Sequence, residues 1–532
     1  MKILKNAKVY TLNPDQPMAD CLVVGDASLS AGRILAVGEW EKLIEEFGTR
    51  AKVEDLEGRI VMPGLTDAHL HLRQYALTLK RVDCGTAGRE VCLDRVGERA
   101  RSTPKGDWIL GHGWNQNIWD GGFGTAQELD AAAPENPVYL TAASLHAGWA
   151  NSLALKTAGI DGNTPDPHNG KIGKSQDGEP DGILFEDAMK LVSQVIPKPT
   201  SEENTAVIAT AQEKLWRMGL TGGHDFDRRE SFAALQILNQ RGELKFRVVK
   251  SIPLEQLEQA IALGLRSGFG DNMLRIGSIK MFADGALGPH TAAMLEAYDD
   301  EPDNLGMLFA DREEIFEIGR KAARGGFSMA IHSIGDRANH EVLAAYGQLR
   351  RAEKEEGVTH FRHRIEHAQI VHPEDFSAFF TEDIIASVQP IHATSDMEMA
   401  DRYWGARAKN SYAWKKLLDA GARMCFGSDA PVDSPNPFWG IYAAVTRRRL
   451  DGSPGEDGWY PEQRLDVHEV IEGYTTGAAY AGGMEKVLGK LAKGYLADLI
   501  VLERDPFEIQ TDEIGDLKPI ATMVGGEWVW RE

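Results

Sequence analysis

Six residues with the chemistry of metal ligands follow short apolar runs along this 532-residue sequence. They are His69, His71, Lys280, His332, His367 and Asp429. Neutral imidazoles together with carboxylates suit Zn²⁺ best, and they also accept Mn²⁺, Fe²⁺ or Co²⁺. The residue types therefore predict a site for one or two divalent metals, provided that the fold brings these side chains together.

The spacing of the first two histidines is informative. His69 and His71 stand two apart in the segment DAHLHL, and on a β-strand this spacing points both side chains to the same face. A His-x-His pair alone is also compatible with packing or surface histidines. By the same alternation, we expect Glu366 to face away from its neighbour His367 and to pair with a barrel-packing arginine such as Arg364.

Eight apolar runs that end in polar or ionisable residues predict the strands that carry these side chains. Helical patterns fill the intervals between the later runs, such as the segment DREEIFEIGRKAARGG before the fifth run. Eight buried strands alternating with helices are typical of a (β/α)₈ TIM barrel, an α/β fold whose active site gathers side chains from the carboxyl ends of the strands. The runs are 59–72, 220–226, 246–252, 275–284, 327–335, 363–368, 384–390 and 423–431.

The remainder of the chain is expected to form two further parts. Residues 1–60 and 485–532 each have the pattern of an incomplete sheet with unpaired edges, which predicts one composite β-sandwich-like domain built from both termini. The barrel itself is expected to comprise 61–72 and 200–484. The interval 73–199 is too long for one crossover and has strand and helix patterns of its own, so it predicts an inserted subdomain after the first barrel strand.

Composition restricts the class of protein. With 42% hydrophobic residues and no apolar run long enough to span a bilayer, the chain is expected to be soluble. Its formal net charge of -22 disfavours binding to nucleic acid. The first residues lack the features of a secretory signal, and the four cysteines form no metal-binding pair, so a cytoplasmic protein with reduced cysteines is predicted.

The motifs MPGLTDAHLHL, KMFADGALG, IHSIGDRA, RIEHAQ and FGSDAPV resemble the amidohydrolase superfamily. The pattern of that superfamily is a His-x-His on the first barrel strand, a bridging lysine on the fourth, histidines on the fifth and sixth, and an aspartate on the eighth. The resemblance extends over nearly the whole chain. More narrowly, the motifs resemble the branch that includes N-substituted formamide deformylases. It implies a metal-dependent hydrolase, because superfamily members hydrolyse amides, cyclic amides, esters and phosphoesters, and deaminate bases.

The resemblance also implies how the ligands are divided between two metals. His69 and His71 would hold the more buried metal with Asp429, while His332 and His367 would hold the second. Asp429 would have a further role as general acid and base. It would take a proton from the metal-activated water and later return that proton to the departing amine.

Lys280 would be carbamylated by CO₂ and bridge the two metals, because an unmodified lysine is cationic and does not ligate. Two alternatives stay open at this point. Lys280 is also compatible with a barrel-rim lysine paired with Asp284, in which case one metal is expected, and Asp429 is compatible with a turn residue before Pro431.

Three residues near the predicted strand ends are candidates for binding substrate. His224 ends the second strand, although packing is an equal alternative for a lone histidine. Arg337 follows His332 and suits a substrate oxygen or carboxylate, with helix capping or pairing with Asp336 as alternatives. His290 occupies the loop after the strand of the bridging lysine.

Two further substrate-binding candidates, His112 and Trp114, lie in the predicted insert. With Trp119, His146 and Trp149 they form a polar and aromatic cluster in the sequence. The tryptophans suit the apolar wall of a substrate pocket, and they suit the core of the insert equally well.

The predicted activity is hydrolysis of a carbon–nitrogen bond, of amide or N-formyl type and not a peptide bond, in a small molecule. A mononuclear deaminase or an esterase on the same scaffold is the alternative enzyme, and Lys280 counts against the deaminase. A non-catalytic regulatory binding protein is the alternative of another class, and it is expected to have lost some of the ligands. Assembly into a homo-oligomer is compatible with the sequence.

Overall fold

The computed structural model describes residues 1–25, 32–116, 119–142 and 147–532, so the predicted pocket residue His146 lies outside the described residues. The chain divides into two compact units, one made of Met1–Tyr75 with Asn204–Glu532 and the other of Ala76–Glu203. Its strands, in chain order, are β1 (Lys2–Tyr10), β2 (Met18–Ala19), β3 (Cys21–Val24), β4 (Ile34–Gly38), β5 (Lys52–Pro63), β6 (Leu65–Leu70), β7 (Val82–Asp83), β8 (Ile109–Trp114), β9 (Val138–Ala142), β10 (Ala147–Ala150), β11 (Gly170–Lys174), β12 (Pro180–Glu186), β13 (Leu220–Asp225), β14 (Arg247–Pro253), β15 (Leu274–Phe282), β16 (Met329–Ser333), β17 (Arg364–His367), β18 (Ile385–Val388), β19 (Arg423–Phe426), β20 (Leu499–Leu502), β21 (Pro519–Val524) and β22 (Glu527–Arg531).

The α-helices alternate with the later strands. They are α1 (Trp40–Phe47), α2 (Leu72–Thr78), α3 (Arg89–Ser102), α4 (Ala126–Ala132), α5 (Ser152–Thr157), α6 (Met189–Ser193), α7 (Ser201–Arg217), α8 (Arg229–Gln240), α9 (Leu257–Ala262), α10 (Arg312–Arg324), α11 (Asp336–Glu356), α12 (Phe376–Thr381), α13 (Pro390–Trp404), α14 (Trp414–Asp419), α15 (Pro437–Thr446), α16 (Val467–Glu472) and α17 (Ala478–Ala481). Short 3₁₀ turns lie at Leu254–Gln256, Gly405–Asn410, Pro461–Gln463 and Thr511–Asp516, and Gly473–Gly477 is π-helical. Within the described ranges, none of these helices has both the length and the apolar content needed to cross a bilayer.

Eight parallel strands of the larger unit form a nearly closed barrel in the order β6, β13, β14, β15, β16, β17, β18, β19. The predicted (β/α)₈ TIM barrel is confirmed, because each apolar run in the sequence overlaps one of these strands. Backbone hydrogen bonds join the carboxyl ends of the first and last strands, from Asp429 N to His69 O at 2.7 Å and from His71 N to Ala430 O at 2.8 Å. The histidine pair and the aspartate are therefore neighbours in space.

The helices cover the barrel with one apolar face each, as α10 illustrates. Its buried residues are Ile315, Gly319, Ala322 and Ala323, whose spacing of three and four residues puts them on one side of a helix. The carboxylate of Asp311 accepts a hydrogen bond from the backbone N–H of Glu314 at 3.0 Å and so begins the helix. The periodicity that predicts this helix is thus the pattern of its buried face.

Both termini contribute strands to one mixed sheet, in the order β22, β21, β20, β5, β1, β3, β4. Strand β5 pairs in parallel with β1 and antiparallel with β20, which confirms that the two ends of the chain share a β domain. One detail of the sequence prediction is wrong. The first apolar run is not a single barrel strand, because residues 59–63 belong to β5 in this sheet and only the part after Gly64 enters the barrel.

The smaller unit contains a six-stranded sheet in the order β11, β12, β10, β9, β8, β7. Strand β8 pairs in parallel with β9, whereas β10 pairs antiparallel with β9 and β12. Helices α3 to α6 belong to the same unit. This is the inserted subdomain that the long interval after the first barrel strand predicts.

A buried ion pair connects the barrel to the β domain within the larger unit. Arg247 on β14 donates from Nη2 to Asp498 Oδ1 at 2.8 Å, and both residues are buried. Asp498, which precedes β20, also accepts a hydrogen bond from the backbone N–H of Gly525 at 2.8 Å. Removing one partner of a buried pair leaves an uncompensated charge, which costs far more than the loss of an exposed pair.

We expect Asp498→Ala to lower the free energy of unfolding by about 3–5 kcal/mol, because it leaves the guanidinium of Arg247 buried and unpaired. The matched control is Glu527→Ala, which removes the exposed partner of Lys245 and should cost no more than about 1 kcal/mol. Thermal and urea unfolding followed by circular dichroism compare the two. Equal stability of the two variants would contradict this account of the domain junction.

Candidate metal centre

Asp67 fixes the relative position of the first and eighth strands beneath the site. Its Oδ1 accepts hydrogen bonds from the backbone N–H groups of His69 and Ser428, each at 3.0 Å. Burial raises the pKa of this carboxyl to about 7. Because one buried side chain binds the backbone on both strands, the imidazole of His69 and the residue that follows Ser428 are held close together.

Asp429 lies at the centre of the site, on a backbone with the left-handed φ of 57°. Its Oδ1 is 3.4 Å from His69 Nε2 and 3.3 Å from His71 Nε2, and its Oδ2 is 3.6 Å from His392 Nε2. Burial alone would raise the pKa of Asp429, but the nearby imidazoles, His69 foremost, hold it well below its usual range. The carboxylate is therefore ionised and faces three histidines.

His332 and His367 join the cluster from the fifth and sixth barrel strands. Their rings are 4.6 Å apart, and the ring of His367 is 5.1 Å from that of His69. His332 donates from Nε2 to the carbonyl of Gly285 at 2.8 Å, and His367 donates from Nδ1 to Gln389 Oε1 at 2.8 Å. The other nitrogen of each ring keeps its lone pair, which is the state of a metal ligand.

Lys280 is buried at the end of the fourth barrel strand. Its Nζ is 4.9 Å from the ring centroids of both Phe226 and Phe282. Burial lowers the pKa of this amine to about 8. The alternative pairing with Asp284 is wrong, because the Asp284 carboxylate accepts hydrogen bonds from three backbone N–H groups instead.

Glu366 corrects one sequence expectation. It pairs with Arg364 as predicted, at 3.0 Å, but it also accepts a hydrogen bond from His69 Nδ1 at 2.7 Å. Both Glu366 and His367 serve the same centre, because His367 has a left-handed φ of 75° that ends the regular alternation of the strand. Glu366 thus sets the tautomer of His69 and leaves Nε2 free to ligate.

His392 is a member of the site that the sequence analysis missed. It follows the seventh barrel strand, in the segment QPIHAT at the start of α13. The other ligands lie at or just beyond the end of a strand, whereas His392 lies four residues beyond the end of its strand. In the described chain, two groups of three residues each have their ligand atoms within 4.8 Å of one another. One group is His69, His71 and Asp429, and the other is His367, His392 and Asp429.

The electrostatics of the cluster suit a cation. Burial lowers the pKa of His69 to about 4 and that of His332 to about 3, and it holds the pKa of His367 well below its usual range. These rings are neutral, which is the form that binds a metal. Burial also acts to lower the pKa of His71, but the facing carboxylates of Asp227 and Asp429 raise it to about 9.

The structure gives different outcomes for the substrate-binding candidates of the barrel. The ring of His224 is buried, and its Nδ1 lies 2.8 Å from Arg364 Nη1, which agrees with the packing alternative, and its contact with substrate stays a prediction. His290 packs against the rings of Tyr298 and Tyr403, at 4.8 and 4.1 Å. Arg337 is exposed at the start of α11 and stays a prediction.

Trp114 belongs to the core of the inserted unit, which is the alternative that the sequence leaves open for it, and its contact with substrate stays a prediction. The ring is 1% exposed, packs 6.1 Å from Trp119 and 6.4 Å from Trp149, and donates from Nε1 to Leu140 O. His112 is exposed on the same strand, 2.9 Å from Thr141 Oγ1, and its proposed contact with substrate stays a prediction.

The barrel with these imidazoles, a lysine and a carboxylate at its carboxyl end defines the class of metal-dependent hydrolases. Comparison with known proteins agrees, since the model of the amidohydrolase family matches residues 52–530. A Bacillus subtilis protein named as an amidohydrolase, YtcJ, is 33% identical over 98% of both chains. The N-substituted formamide deformylase of Arthrobacter pascens is 29% identical over 98% of this chain and 96% of its own. This chain belongs to the amidohydrolase family.

Solved structures show the same architecture. A metal-dependent hydrolase from Pyrococcus furiosus has 29% sequence identity and a TM-score of 0.78, covering 95% of this chain and all of its own. The zinc complex of atrazine chlorohydrolase TrzN from Arthrobacter aurescens is 15% identical, with a TM-score of 0.52 over 100% of this chain and 95% of that chain, and it shares the fold alone.

We expect Glu366→Gln to weaken metal binding by about 10–100-fold, the usual effect of losing the residue that orients a ligand. The control is Glu353→Gln, because Glu353 makes a similar buried contact with a histidine and an arginine, His363 at 2.9 Å and Arg350 at 2.8 Å. Competition with a chelator measures the affinity. The interpretation fails if both variants lose stability alike and neither changes metal affinity.

Proposed function

We propose that this protein hydrolyses a carbon–nitrogen bond of a small amide and that N-formyl amines are the first class to test. The observation that carries the proposal is the ionised Asp429 among His69, His71 and His392 at the mouth of a barrel. The similarity to a deformylase supports the choice of the N-formyl group. A hydrolase needs a way to activate water and a way to protonate the departing nitrogen, and these residues suit both tasks.

A divalent metal, with Zn²⁺ first and Mn²⁺, Fe²⁺ or Co²⁺ as alternatives, would supply a Lewis acid and lower the pKa of bound water. His69, His71 and Asp429 would hold it, with all donor atoms on nitrogen or oxygen. His332 and His367 are proposed for a second ion. The donor chemistry fits, because the rings of His69, His332 and His367 are neutral and each has one nitrogen hydrogen-bonded to the protein.

Lys280 is proposed to be carbamylated and to bridge the two ions. The neutral amine is the form that attacks CO₂, and burial lowers the pKa of Lys280 to about 8, so a substantial neutral fraction exists near neutral pH. The aromatic rings of Phe226 and Phe282 shield the amine from water. The product carries an anionic carboxylate in place of a cation, which converts a repulsive group into a ligand.

Asp429 is proposed as the general acid and base. Its carboxylate would accept the proton of the attacking water and deliver it to the nitrogen of the departing amine. Protonation matters because an amide anion is a very poor leaving group, whereas a neutral amine leaves readily.

Phe282 is proposed to bind the apolar part of the substrate. It is 50% exposed, although its ring lies 4.9 Å from that of His332 and 4.9 Å from Lys280 Nζ. An exposed aromatic ring in contact with two members of the site offers an apolar surface next to the reacting group. Arg337 and His290 remain candidates for polar contacts. We further propose a cytoplasmic protein whose partner is a small molecule, not nucleic acid or a membrane.

Chelation should abolish hydrolysis of the best substrate in a panel of N-formyl amines, acyl amides, cyclic amides and esters, and Zn²⁺, Mn²⁺ or Co²⁺ should restore it. Release of amine and formate, measured by chromatography, gives the rate. Amides with bulky and with small amine groups belong in the panel, because Phe282 should favour the bulky ones.

The control for this panel is Asp429→Asn, which should lower the rate by about 10²–10⁴-fold in folded protein. Full activity in metal-free protein would exclude the proposed chemistry. Turnover of esters or deamination of bases without any cleavage of amides would assign the scaffold to another hydrolytic reaction.

Lys280→Ala should weaken binding of a second metal, because it removes the proposed bridge while keeping the first three ligands. Short carboxylic acids added to this variant should restore part of the affinity and of the rate, since they replace the lost carboxylate. Mass spectrometry of the native protein should show the added mass of CO₂ on Lys280. A wild-type metal count together with an unmodified lysine would refute the bridge.

A further inference from the structure

His392 is a buried histidine without a place in the ligand pattern expected from the sequence. It lies near the start of α13, two residues beyond Pro390, at the carboxyl end of the barrel. The residue is 8% exposed, and its ring is stacked 6.3 Å from that of His367. Because buried imidazoles are costly without partners, the contacts of both its nitrogens are informative.

The Nδ1 atom of His392 has a fixed partner. It donates to Asp433 Oδ2 at 2.6 Å, and the hydroxyl of Ser395 donates to Asp433 Oδ1 at 3.0 Å. This carboxylate therefore orients the ring and places the hydrogen on Nδ1. In the neutral ring, which is the form that binds a metal, the lone pair is on Nε2, and this atom faces Asp429 Oδ2 at 3.6 Å.

A separation of 3.6 Å is too long for a hydrogen bond, so the structure shows no direct bond between His392 Nε2 and Asp429 Oδ2. This separation is close to the distance between two ligands of one ion. Tetrahedral coordination with bonds of about 2.0–2.1 Å separates ligand atoms by about 3.3 Å. The Nε2 atoms of His69 and His71 lie at 3.4 and 3.3 Å from Asp429 Oδ1, so both oxygens of this carboxylate have the same kind of neighbour.

We propose that His392 is a ligand of the second metal, together with His367 and Oδ2 of Asp429, and that Asp433 is its positioning residue. The ligand atoms of these three residues lie within 4.8 Å of one another. The inference rests on the two-metal form of the proposed function. It adds an imidazole from the helix that follows the seventh strand and makes Asp429 a link between the two metal positions, with one oxygen directed to each.

This arrangement changes what Lys280 is needed for. With His332, His367, His392 and Asp429, the second position has four proposed protein ligands before any lysine is modified. The carbamate would then strengthen and bridge a site that already exists. Loss of His392 and loss of Lys280 should weaken the same position in chemically different ways, one repaired by imidazole and the other by carboxylic acids.

The test is His392→Ala in the full-length protein, with zinc content measured by plasma mass spectrometry after dialysis and Co²⁺ binding followed by visible absorption. We expect one tightly bound ion to remain and the affinity for the second to fall at least ten-fold, with an altered Co²⁺ spectrum. Added imidazole should restore part of the second affinity. Asp433→Asn should weaken the same ion, because it removes the group that orients the ring.

The matched control is His360→Ala, which removes an exposed histidine that pairs with Asp383 at 2.9 Å. It should bind both ions as the wild type does. A wild-type metal count, affinity and Co²⁺ spectrum in folded His392→Ala would overturn the proposal and leave His392 a substrate contact. So would a wild-type protein that binds only one ion. Should His392→Ala fail to fold, Asp433→Asn decides by the same readouts. Failure of the proposed activity would appear separately, as wild-type protein that binds two ions and cleaves no amide.

Discussion

The backbone contact between the ends of the first and eighth barrel strands is the constraint on which the site depends. Asp429 N donates to His69 O and His71 N donates to Ala430 O, and Asp67 binds both strands from below. Residues separated by about 360 positions in the chain thereby meet with their side chains toward one point. Without this closure the barrel would be a curved sheet with the histidine pair on one edge and the aspartate on the other.

Beneath the ligands, the barrel interior is charged, and this layer determines how the rings are oriented. Arg364 contacts Glu366, Ser387 and His224, and its Nη2 also donates to the carbonyl of Ala68, so it touches four different strands. Burying these charges is costly unless every partner is satisfied. The hydrogen bond from His69 to Glu366 satisfies part of the buried charge of this carboxylate, and it also fixes the orientation of the His69 ring as a ligand.

The eight strands, the histidine pair and the composite β domain could be predicted from the sequence, because apolar runs and a spacing of two depend on local geometry alone. Glu366 could not be assigned, since strand alternation fails where His367 takes a left-handed conformation. His392 was missed because its strand ends in glutamine and proline, and the histidine is presented by the following helix. The tryptophan pattern of the insert is compatible in sequence with either a core or a pocket wall, so only the burial of Trp114 distinguishes these two roles.

The geometry requires positive charge at its centre independently of any family pattern. The Nε2 atoms of His69, His71 and His392 all face the carboxylate of Asp429, and the first of these rings is neutral because it is buried. Acceptors that converge in this way repel unless protons or cations lie among them. Burial would lower the pKa of His392, but Asp429 and Asp433 raise it to about 10, so in a site without metal, protons supply that charge. A divalent ion must displace those protons, so metal binding releases protons and strengthens as the pH rises.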